Sequence, residues 1–172
     1  MIRAATARDL SRVTLALAGG AALASALACV LASHLVWNVT PSLPFGLYWL
    51  SRGAPPARGA LVAFAVPAGV RDLVFDRRYL PRGAFLVKPV AAMSGDIVCT
   101  EGGALSVNGQ RLGPILTEDT AGRPLPHYEG CGPVVGGMIF VASRYAKSFD
   151  SRTFGPVAVA DLRGRVTPLW TY

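Results

Sequence analysis

Residues 38–48 read NVTPSLPFGLY, and they begin where a long uncharged apolar segment ends. Two prolines and a glycine flank Ser42. The length of the chain predicts one membrane span, formed by the apolar segment, and one folded domain after it. Ser42 is therefore predicted to lie at a membrane surface, where it could act on membrane-bound polypeptides.

The apolar segment has the length of a transmembrane helix. Residues 13–36 contain no Asp, Glu, Lys or Arg, and a helix needs roughly 20 residues to cross the hydrocarbon core. Three arginines precede the segment against one aspartate, so the positive-inside rule predicts a cytoplasmic basic N-terminus at 1–12 and an outward-facing domain at 37–172. Small alanines within the segment leave cleavage as a signal peptide open as an alternative.

The chain is basic, with a formal net charge of +7 and a pI near 9.9. Such a balance raises the question of nucleic-acid binding. The arginines are scattered, however, with only Arg77 and Arg78 adjacent, and no aromatic residues alternate with basic ones to form a base-stacking platform. We therefore expect no nucleic-acid partner, and attraction to membrane lipid headgroups is the simpler explanation of the charge.

Two of the three cysteines fall in the domain predicted to face outward. Cys99 and Cys131 would then be in a compartment that permits oxidation, and a disulfide between them is predicted. A metal site is disfavoured because the cysteines are far apart in sequence and His127 is the only histidine near them. Cys29 lies inside the apolar segment, where it acts as a small hydrophobic residue. We expect neither a metal nor another cofactor.

The domain after the anchor is predicted to be mainly β and mostly antiparallel, because its short apolar runs are broken by Gly and Pro. No helical period is sustained after residue 50. Asn108 and Gly109 predict a two-residue type I′ hairpin, since both residue types tolerate positive φ. Residues 114–132 are polar and rich in turn formers, and are predicted to form a loop tied back by the disulfide. The predicted strands are 60–66, 85–88, 97–100, 104–107, 110–112, 138–143 and 157–160.

A serine nucleophile in this chain needs a base other than histidine. The chain has two histidines, one at the membrane boundary and one in a proline-rich loop, which is poor material for a Ser/His/Asp triad. It also has two lysines among many arginines, Lys88 and Lys147, and lysine can lose its proton whereas arginine in practice cannot. Lys88 lies in the apolar run FLVKPV, where burial would lower its pKa towards that of a general base. A lysine on an edge strand with its amine in water remains the alternative, and Lys147 fits that alternative better.

A third motif, SFDSRTFGP at residues 148–156, could support such a site. Asp150 and Arg152 could form a charge-assisted pair that holds a loop in place. Gly155 and Pro156 would then turn the chain back into a strand.

Together, TPSLPFGLY, VKPVAAMSGD and SFDSRTFGP resemble, in this order, the three conserved blocks of the type I signal peptidase family. More narrowly, the chain resembles the conjugative-transfer (TraF-type) branch, which matures pilin subunits. The resemblance implies a signal-peptidase-like antiparallel β domain in the periplasm, anchored in the bacterial inner membrane by one helix. It also implies a serine endopeptidase whose partner is a precursor polypeptide.

The same resemblance implies a role for each matching residue. Ser42 matches the nucleophile, and Lys88 matches the general base. The Thr40 hydroxyl and the Ser42 backbone N–H match an oxyanion hole, while Ser148 matches the hydroxyl that orients the lysine. The residues that match structural supports are Gly95, Asp96, Asp150 and Arg152.

The resemblance has one departure. Relatives of this type usually carry Gly-Asp or Gly-Asn before the third block, whereas this chain has Ser143 and Arg144. The local loop conformation is therefore open, although activity is still expected. Two alternatives are an inactive membrane-tethered assembly component of a secretion or pilus apparatus, and a basic lipid- or wall-binding module.

Overall fold

The structure, a computed structural model, describes residues 7–172, and describes side chains from residue 15 onward. The chain divides into two units, Met1–Leu35 and Val36–Tyr172. In the first unit, helix α1 spans Ala7–Ala32, and its window Leu15–Ala32 has a mean hydropathy of 2.1. By length and composition this helix can cross a membrane. The predicted basic N-terminus at 1–12 lies largely outside the described residues.

Helix α1 ends before the predicted end of the anchor at residue 36. Residues 33 and 34 form a turn, and the first strand begins at Leu35. The turn that carries Ser42 therefore follows a short strand instead of following the helix directly.

The second unit is mainly β, as predicted. In chain order the strands are β1 (Leu35–Asn38), β2 (Gly46–Arg52), β3 (Leu61–Phe64), β4 (Leu86–Ala92), β5 (Ile97–Glu101), β6 (Ala104–Val107), β7 (Gln110–Pro114), β8 (Cys131–Pro133), β9 (Met138–Val141), β10 (Val157–Ala158) and β11 (Leu162–Thr171). A seven-stranded sheet has the order β1-β2-β11-β3-β4-β9-β10, and a four-stranded sheet has the order β7-β6-β5-β8. Every pairing whose register is described is antiparallel.

Most predicted strands are present, with boundaries that differ by a few residues. Strand β6 has the predicted limits, whereas β4 continues past Lys88 to Ala92. Two long strands, β2 and β11, were not predicted. In β11, Pro168 interrupts the alternation, and the register with β2 shifts at this point. The short helices α2 (Arg71–Asp76) and α3 (Ser151–Phe154) are too brief to show a helical period.

The hairpin between β6 and β7 has the predicted turn. Asn108 and Gly109 have φ values of 50° and 79°, as a type I′ turn requires at both central positions. The Asn108 side chain also accepts a hydrogen bond from the backbone N–H of Ile97 at 2.9 Å. The turn therefore holds the end of the hairpin against β5.

Strand β4 lies between β3 and β9 and contributes to two apolar clusters. Leu86 and Val90 pack in one cluster and Val87 in the other. Because side chains alternate along a strand, Lys88 shares the face of Leu86 and Val90. The fold thus directs a lysine side chain into the protein interior.

Strand β11 lies beside β2, the strand that follows the Ser42 turn. At the start of β2 the two backbones come so close that a Cβ on Gly46 would lie 2.1 Å from the Trp170 carbonyl oxygen. Only glycine fits at this point of the motif. The backbone N–H of Tyr172 then donates to the Phe45 carbonyl oxygen at 3.0 Å, which attaches β11 to the turn itself.

The predicted disulfide between Cys99 and Cys131 is present. These residues are direct neighbours in the register of β5 and β8, and their sulfur atoms are bonded. The bond closes the loop of residues 100–130 at its base. Cys29, in helix α1, is free.

We expect alkylation to distinguish Cys29 from the disulfide pair. Denatured, unreduced protein should gain one alkyl group, on Cys29, because a disulfide has no thiolate to react. After reduction the same protein should gain three groups, one for each cysteine in the sequence. Intact-mass spectrometry reads both states, and three groups without reduction would contradict the disulfide.

Candidate active site

The structure brings Ser42, Lys88 and Ser148 together in one buried cluster. Lys88 Nζ lies 2.5 Å from Ser42 Oγ and 3.0 Å from Ser148 Oγ. The lysine is only 2% exposed, and both serines are buried. Although 46 residues separate the first pair and 60 the second, the β4 strand and the two loops converge on one amine.

The Lys88 amine loses its proton more easily than an ordinary lysine, and it is half neutral at about pH 8. Burial lowers its pKa from 10.5 to about 8, because an ammonium ion loses its hydration in the interior. The negative charge of Asp150 opposes this shift, and the positive charge of Arg152 adds to it. The alternative of an edge-strand lysine with its amine in water is therefore wrong.

The Ser42 turn carries a second hydroxyl beside the nucleophile candidate. Thr40 Oγ1 lies 3.1 Å from Ser42 Oγ, and it donates to Asn38 Oδ1 at 3.0 Å. Asn38 is a buried amide at the end of β1, and it was not among the predicted site residues. Its only signal in the sequence is a polar residue that ends an apolar run.

A buried ion pair lies behind the cluster. Arg152 donates to both carboxylate oxygens of Asp150, from Nε at 2.9 Å and from Nη2 at 2.7 Å. Asp150 is 0% and Arg152 3% exposed. The Asp150 carboxylate also caps α3 by accepting from the backbone N–H of Arg152, which satisfies a donor of the first helical turn. Such bidentate pairs define geometry well, because both members are fixed at once.

Ser143, at the position where the chain departs from its expected pattern, links the ion pair to the nucleophile candidate. Its backbone N–H donates to Asp150 Oδ2 at 3.1 Å, and its carbonyl accepts from Arg152 Nη2 at 3.1 Å. Its hydroxyl donates to the Ser42 carbonyl oxygen at 2.7 Å. The neighbouring Arg144 is exposed. Ser143 therefore fixes the loop conformation that the sequence left open. Its backbone contacts the ion pair, and its hydroxyl contacts the Ser42 carbonyl oxygen.

The ion pair also contacts the four-stranded sheet. Arg152 Nη1 is buried and, among the described side chains, it is the one buried N or O atom that lacks a hydrogen-bond partner. A Cβ on Gly113 of β7 would lie 2.7 Å from this nitrogen. Glycine at this position therefore lets β7 approach the guanidinium.

Gly95 and Asp96 lie in the turn between β4 and β5. The Asp96 carboxylate accepts hydrogen bonds from Arg58 Nη2 at 2.5 and 2.7 Å, from the Met93 backbone N–H at 2.8 Å and from Asn108 Nδ2 at 2.8 Å. The Met93 hydrogen bond, followed by the Asn108 and Arg58 bonds, lowers the pKa of Asp96. This network joins the turn to the β6–β7 hairpin. The hydrogen bonds of Asp96 are therefore with strands and turns that support the domain, and not with the serine–lysine cluster.

A cleft of about 350 Å³ opens beside the cluster and is lined by Ser42, Lys88 and Ser148. Much of its remaining wall is apolar and is contributed by Pro41, Leu80, Leu86, Leu116, Leu125 and Phe149. A cavity of this kind suits apolar side chains, while its hydroxyls and the Lys88 amine supply the polar groups of the site.

One rim of the cleft is held by a polar cluster around Asp119. This carboxylate accepts from Tyr79 Oη, from Arg77 Nη1 at 3.3 Å and from Arg123 Nε at 2.7 Å. The cluster fixes the long loop between β7 and β8 against the segment that follows α2. The predicted polar loop is therefore an ordered wall of the cleft.

Chemically, the cluster contains the groups that acyl transfer by a serine requires. A serine hydroxyl beside a neutral amine meets the usual requirement for an activated nucleophile, in which a base lies within hydrogen-bond reach. The Thr40 hydroxyl lies on the same turn and could donate to a developing oxyanion. Among the described residues, His127 pairs with Glu129 at 2.9 Å and is not one of the residues that line this cleft.

Comparison with known proteins identifies the family to which this chain is similar. Residues 7–170 match the family described as signal peptidase, peptidase S26. Two plasmid transfer proteins TraF of Escherichia coli are similar, one 33% identical over 95% of this chain and 100% of its own length, the other 36% identical over 91% and 94%. A solved signal peptidase I of Enterococcus faecalis V583 is 25% identical, with a TM-score of 0.40, over 65% of this chain and 97% of that one.

We expect the buried amine to reduce stability. Below pH 8 the wild-type domain must bury a charged ammonium, whereas between pH 8 and 10.5 the unfolded chain binds a proton that the folded chain has lost. Wild-type stability should therefore rise with pH across this window. Lys88→Met removes the charge at similar volume, so the variant should melt several degrees higher than the wild type at pH 7.

Thermal unfolding of the full chain in detergent at pH 6, 8 and 10 checks this expectation. The difference between Lys88→Met and the wild type should be largest at pH 6 and should shrink by pH 10. Lys147→Met is the matched control, because Lys147 is exposed and its loss should change little. A difference that stays constant across the pH range would contradict the burial of a titrating amine.

Proposed function

This chain belongs to the peptidase S26 family of signal peptidases, and we propose that it is a membrane-anchored serine endopeptidase with a Ser42–Lys88 dyad. The observation that carries the proposal is the 2.5 Å contact between Lys88 Nζ and Ser42 Oγ in a buried site. The reaction is cleavage of a signal or leader peptide from an exported precursor. Similarity to plasmid transfer proteins supports a role in conjugative transfer.

In the proposed acylation step, neutral Lys88 accepts the proton of Ser42 Oγ as that oxygen attacks the carbonyl carbon of the scissile bond. The tetrahedral intermediate collapses when the protonated Lys88 returns the proton to the leaving amine. An acyl-enzyme ester on Ser42 and a free amine are the products of this step. Water, or an amine of the substrate itself, then attacks the ester while Lys88 again accepts and returns the proton.

Ser148 is proposed to orient the base. A neutral amine has two N–H donors and one lone pair, and one N–H can donate to Ser148 Oγ, 3.0 Å away. That bond turns the lone pair of Lys88 towards Ser42. Asp150 and Arg152 act indirectly, because their ion pair fixes the loop on which Ser148 lies.

The oxyanion hole is proposed to consist of the Ser42 backbone N–H and the Thr40 hydroxyl. Both donors lie on the turn that carries the nucleophile, and the Thr40 Oγ1 atom is 3.1 Å from Ser42 Oγ. Donors fixed in advance stabilise developing charge without reorganising during the reaction.

The anchor and the cleft restrict the proposed substrate. Arginines before the uncharged segment 13–36 favour a cytoplasmic N-terminus, and the proposal is that the β domain lies in the periplasm of a bacterium with its anchor in the inner membrane. The apolar wall of the cleft suits an extended peptide with apolar side chains. The family relationship favours small residues at the first and third positions before the cut, and pilin precursors of a transfer system are the proposed substrates.

We expect Lys88→Arg to abolish cleavage, because arginine keeps the charge and approximate size but cannot lose its proton. Ser42→Ala should also abolish it, and Lys147→Arg is the matched control that should retain activity. In the wild type, kcat should rise with pH and level off above about pH 8, where Lys88 becomes neutral. Cleavage of a pilin precursor by the full chain in detergent, followed on gels and by mass spectrometry, measures all three variants.

Retained cleavage in folded Lys88→Arg would refute the dyad. No cleavage of any precursor by the wild type, together with capture of transfer-apparatus subunits, would favour an inactive assembly component instead. Salt-sensitive lipid binding that is indifferent to Ser42→Ala would favour a binding module.

We expect the fate of the acyl-enzyme to be readable from product mass. Hydrolysis leaves a linear pilin with a new carboxylate, whereas attack by the substrate's own amine gives a cyclic product lighter by one water. Both routes share the acylation step, so the dyad is compatible with either. Intact-mass spectrometry of the pilin after incubation decides between them, and Ser42→Ala should yield neither product.

A further inference from the structure

Among the described residues, backbone pairing holds the turn that carries Ser42 at one end, where the Tyr172 N–H donates to the Phe45 carbonyl oxygen. Residues 39–45 connect β1 to β2 without regular secondary structure, and two prolines in them have no N–H to donate. The carbonyl groups of this turn therefore need donors from elsewhere, since buried polar groups are rarely left unpaired.

Asn38 supplies donors from one side of the turn. Its Nδ2 lies 3.0 Å from the Thr40 carbonyl oxygen, 3.1 Å from that of Leu43 and 3.0 Å from that of Pro44. Two amide hydrogens are thus shared among three acceptors. Its Oδ1 accepts from the backbone N–H of Thr40 at 3.3 Å and from the Thr40 hydroxyl at 3.0 Å. One side chain, 5% exposed, therefore contacts both ends of the turn.

Ser143 supplies the donor for the carbonyl of Ser42 itself, at 2.7 Å. Tyr48 Oη also donates to the Pro44 carbonyl oxygen, at 2.8 Å. The Ser143 hydroxyl has a single hydrogen, which it donates to the Ser42 carbonyl, and its oxygen accepts from the Tyr145 backbone N–H at 3.1 Å. The two hydrogen bonds together fix the orientation of the hydroxyl. The residue is 5% exposed and lies 101 positions from Ser42.

These contacts determine where the Ser42 N–H can point. The Thr40–Pro41 peptide plane is held by Asn38, and the Ser42–Leu43 plane is held by Ser143. The Pro41–Ser42 plane, which contains the Ser42 N–H, lies between them, and the ring of Pro41 fixes its own φ. The direction of that N–H is therefore set by two side chains outside the turn.

The Thr40 hydroxyl depends on Asn38 in a second way. Its one hydrogen donates to Asn38 Oδ1 in the structure, and it must turn away to donate to a substrate oxyanion. When it does so, Asn38 Oδ1 still accepts from the Thr40 backbone N–H. The backbone of Thr40 can thus stay in place while the hydroxyl changes partner.

We infer that Asn38 and Ser143 are positioning residues that hold the Ser42 turn by its carbonyl oxygens and thereby orient both oxyanion donors. The inference rests on the proposed function, since orientation of these donors has a catalytic effect only if Ser42 is the nucleophile. It also accounts for the departure at Ser143, because a hydroxyl at that position reaches the nucleophile's own carbonyl.

Kinetics of single variants test the inference on the full chain in detergent. Ser143→Ala should lower kcat about tenfold with KM changed less than twofold, as expected for one lost hydrogen bond in the transition state. Ser143→Thr keeps the hydroxyl and should recover kcat to within about threefold of the wild type. Asn38→Asp keeps the acceptor for Thr40 but removes three donor contacts, and should lower kcat about a hundredfold.

Ser106→Ala is the matched control. The Ser106 hydroxyl also donates to a backbone carbonyl, that of Cys99 at 3.4 Å, but in the four-stranded sheet. The Ser106→Ala variant should have the kcat of the wild type.

The midpoint of the pH–kcat profile should be the same in Ser143→Ala and the wild type, because the substitution leaves the surroundings of Lys88 intact.

Hydrogen exchange of the segment 39–45 separates this inference from the proposed function. Exchange in Ser143→Ala and Asn38→Asp should be faster in this segment and unchanged in β3 and β9, whether or not the protein cleaves a precursor. If the wild type is inactive but exchange responds as stated, the proposed function fails and the carbonyl contacts stand. If either variant fails to fold, the other carries the test.

Two results would overturn the inference. One is wild-type kcat in folded Ser143→Ala and Asn38→Asp. The other is exchange in 39–45 that neither substitution alters.

Discussion

The buried ion pair between Asp150 and Arg152 is the interaction on which the rest of the site depends. Its two parallel hydrogen bonds lock both side chains, and each partner makes further contacts with the loop that starts at Ser143. Replacing such a pair by apolar residues can be neutral for stability, but removal of one partner leaves an uncompensated charge in the interior. The geometry that the pair provides therefore matters more than its net free energy. Lys88 receives opposite electrostatic effects from the two charges, because Asp150 raises the pKa of the amine and Arg152 lowers it.

The same region combines two requirements that conflict. A general base must be desolvated to be neutral near pH 8, and desolvation makes the folded state less stable whenever the amine is charged. The desolvation arises because Lys88 lies on β4, between β3 and β9, where its neighbours on the same face are apolar. The surrounding polar groups are serine and threonine hydroxyls, which can donate or accept as the amine changes its protonation state. A carboxylate in direct contact would instead have kept the lysine protonated.

Much of this arrangement could be predicted from the sequence, and the remainder depends on backbone geometry. The three motifs identify Ser42, Lys88 and Ser148, and the Asn-Gly dipeptide identifies its hairpin, because these features depend on residue type at a short spacing. Strand β11 cannot be predicted from the sequence, because Pro168 interrupts its alternation. In the structure it pairs with β2 on both sides of this proline. Asn38 and Ser143 bond to main-chain carbonyls, and no residue pattern shows where a carbonyl will point. The sequence could flag Ser143 as unusual but could not say what it contacts.

The wide spacing of the cluster along the chain has a consequence for how the protein is made. The serine leaves the ribosome well before the lysine, and Ser143, the ion pair and β11 follow later still. Until β11 has paired with β2, the turn at 39–45 has lost one of its attachments, and until β4 is in place the serine has no base beside it. The cluster of Ser42, Lys88 and Ser148 can therefore form only after the chain has been synthesised past residue 148.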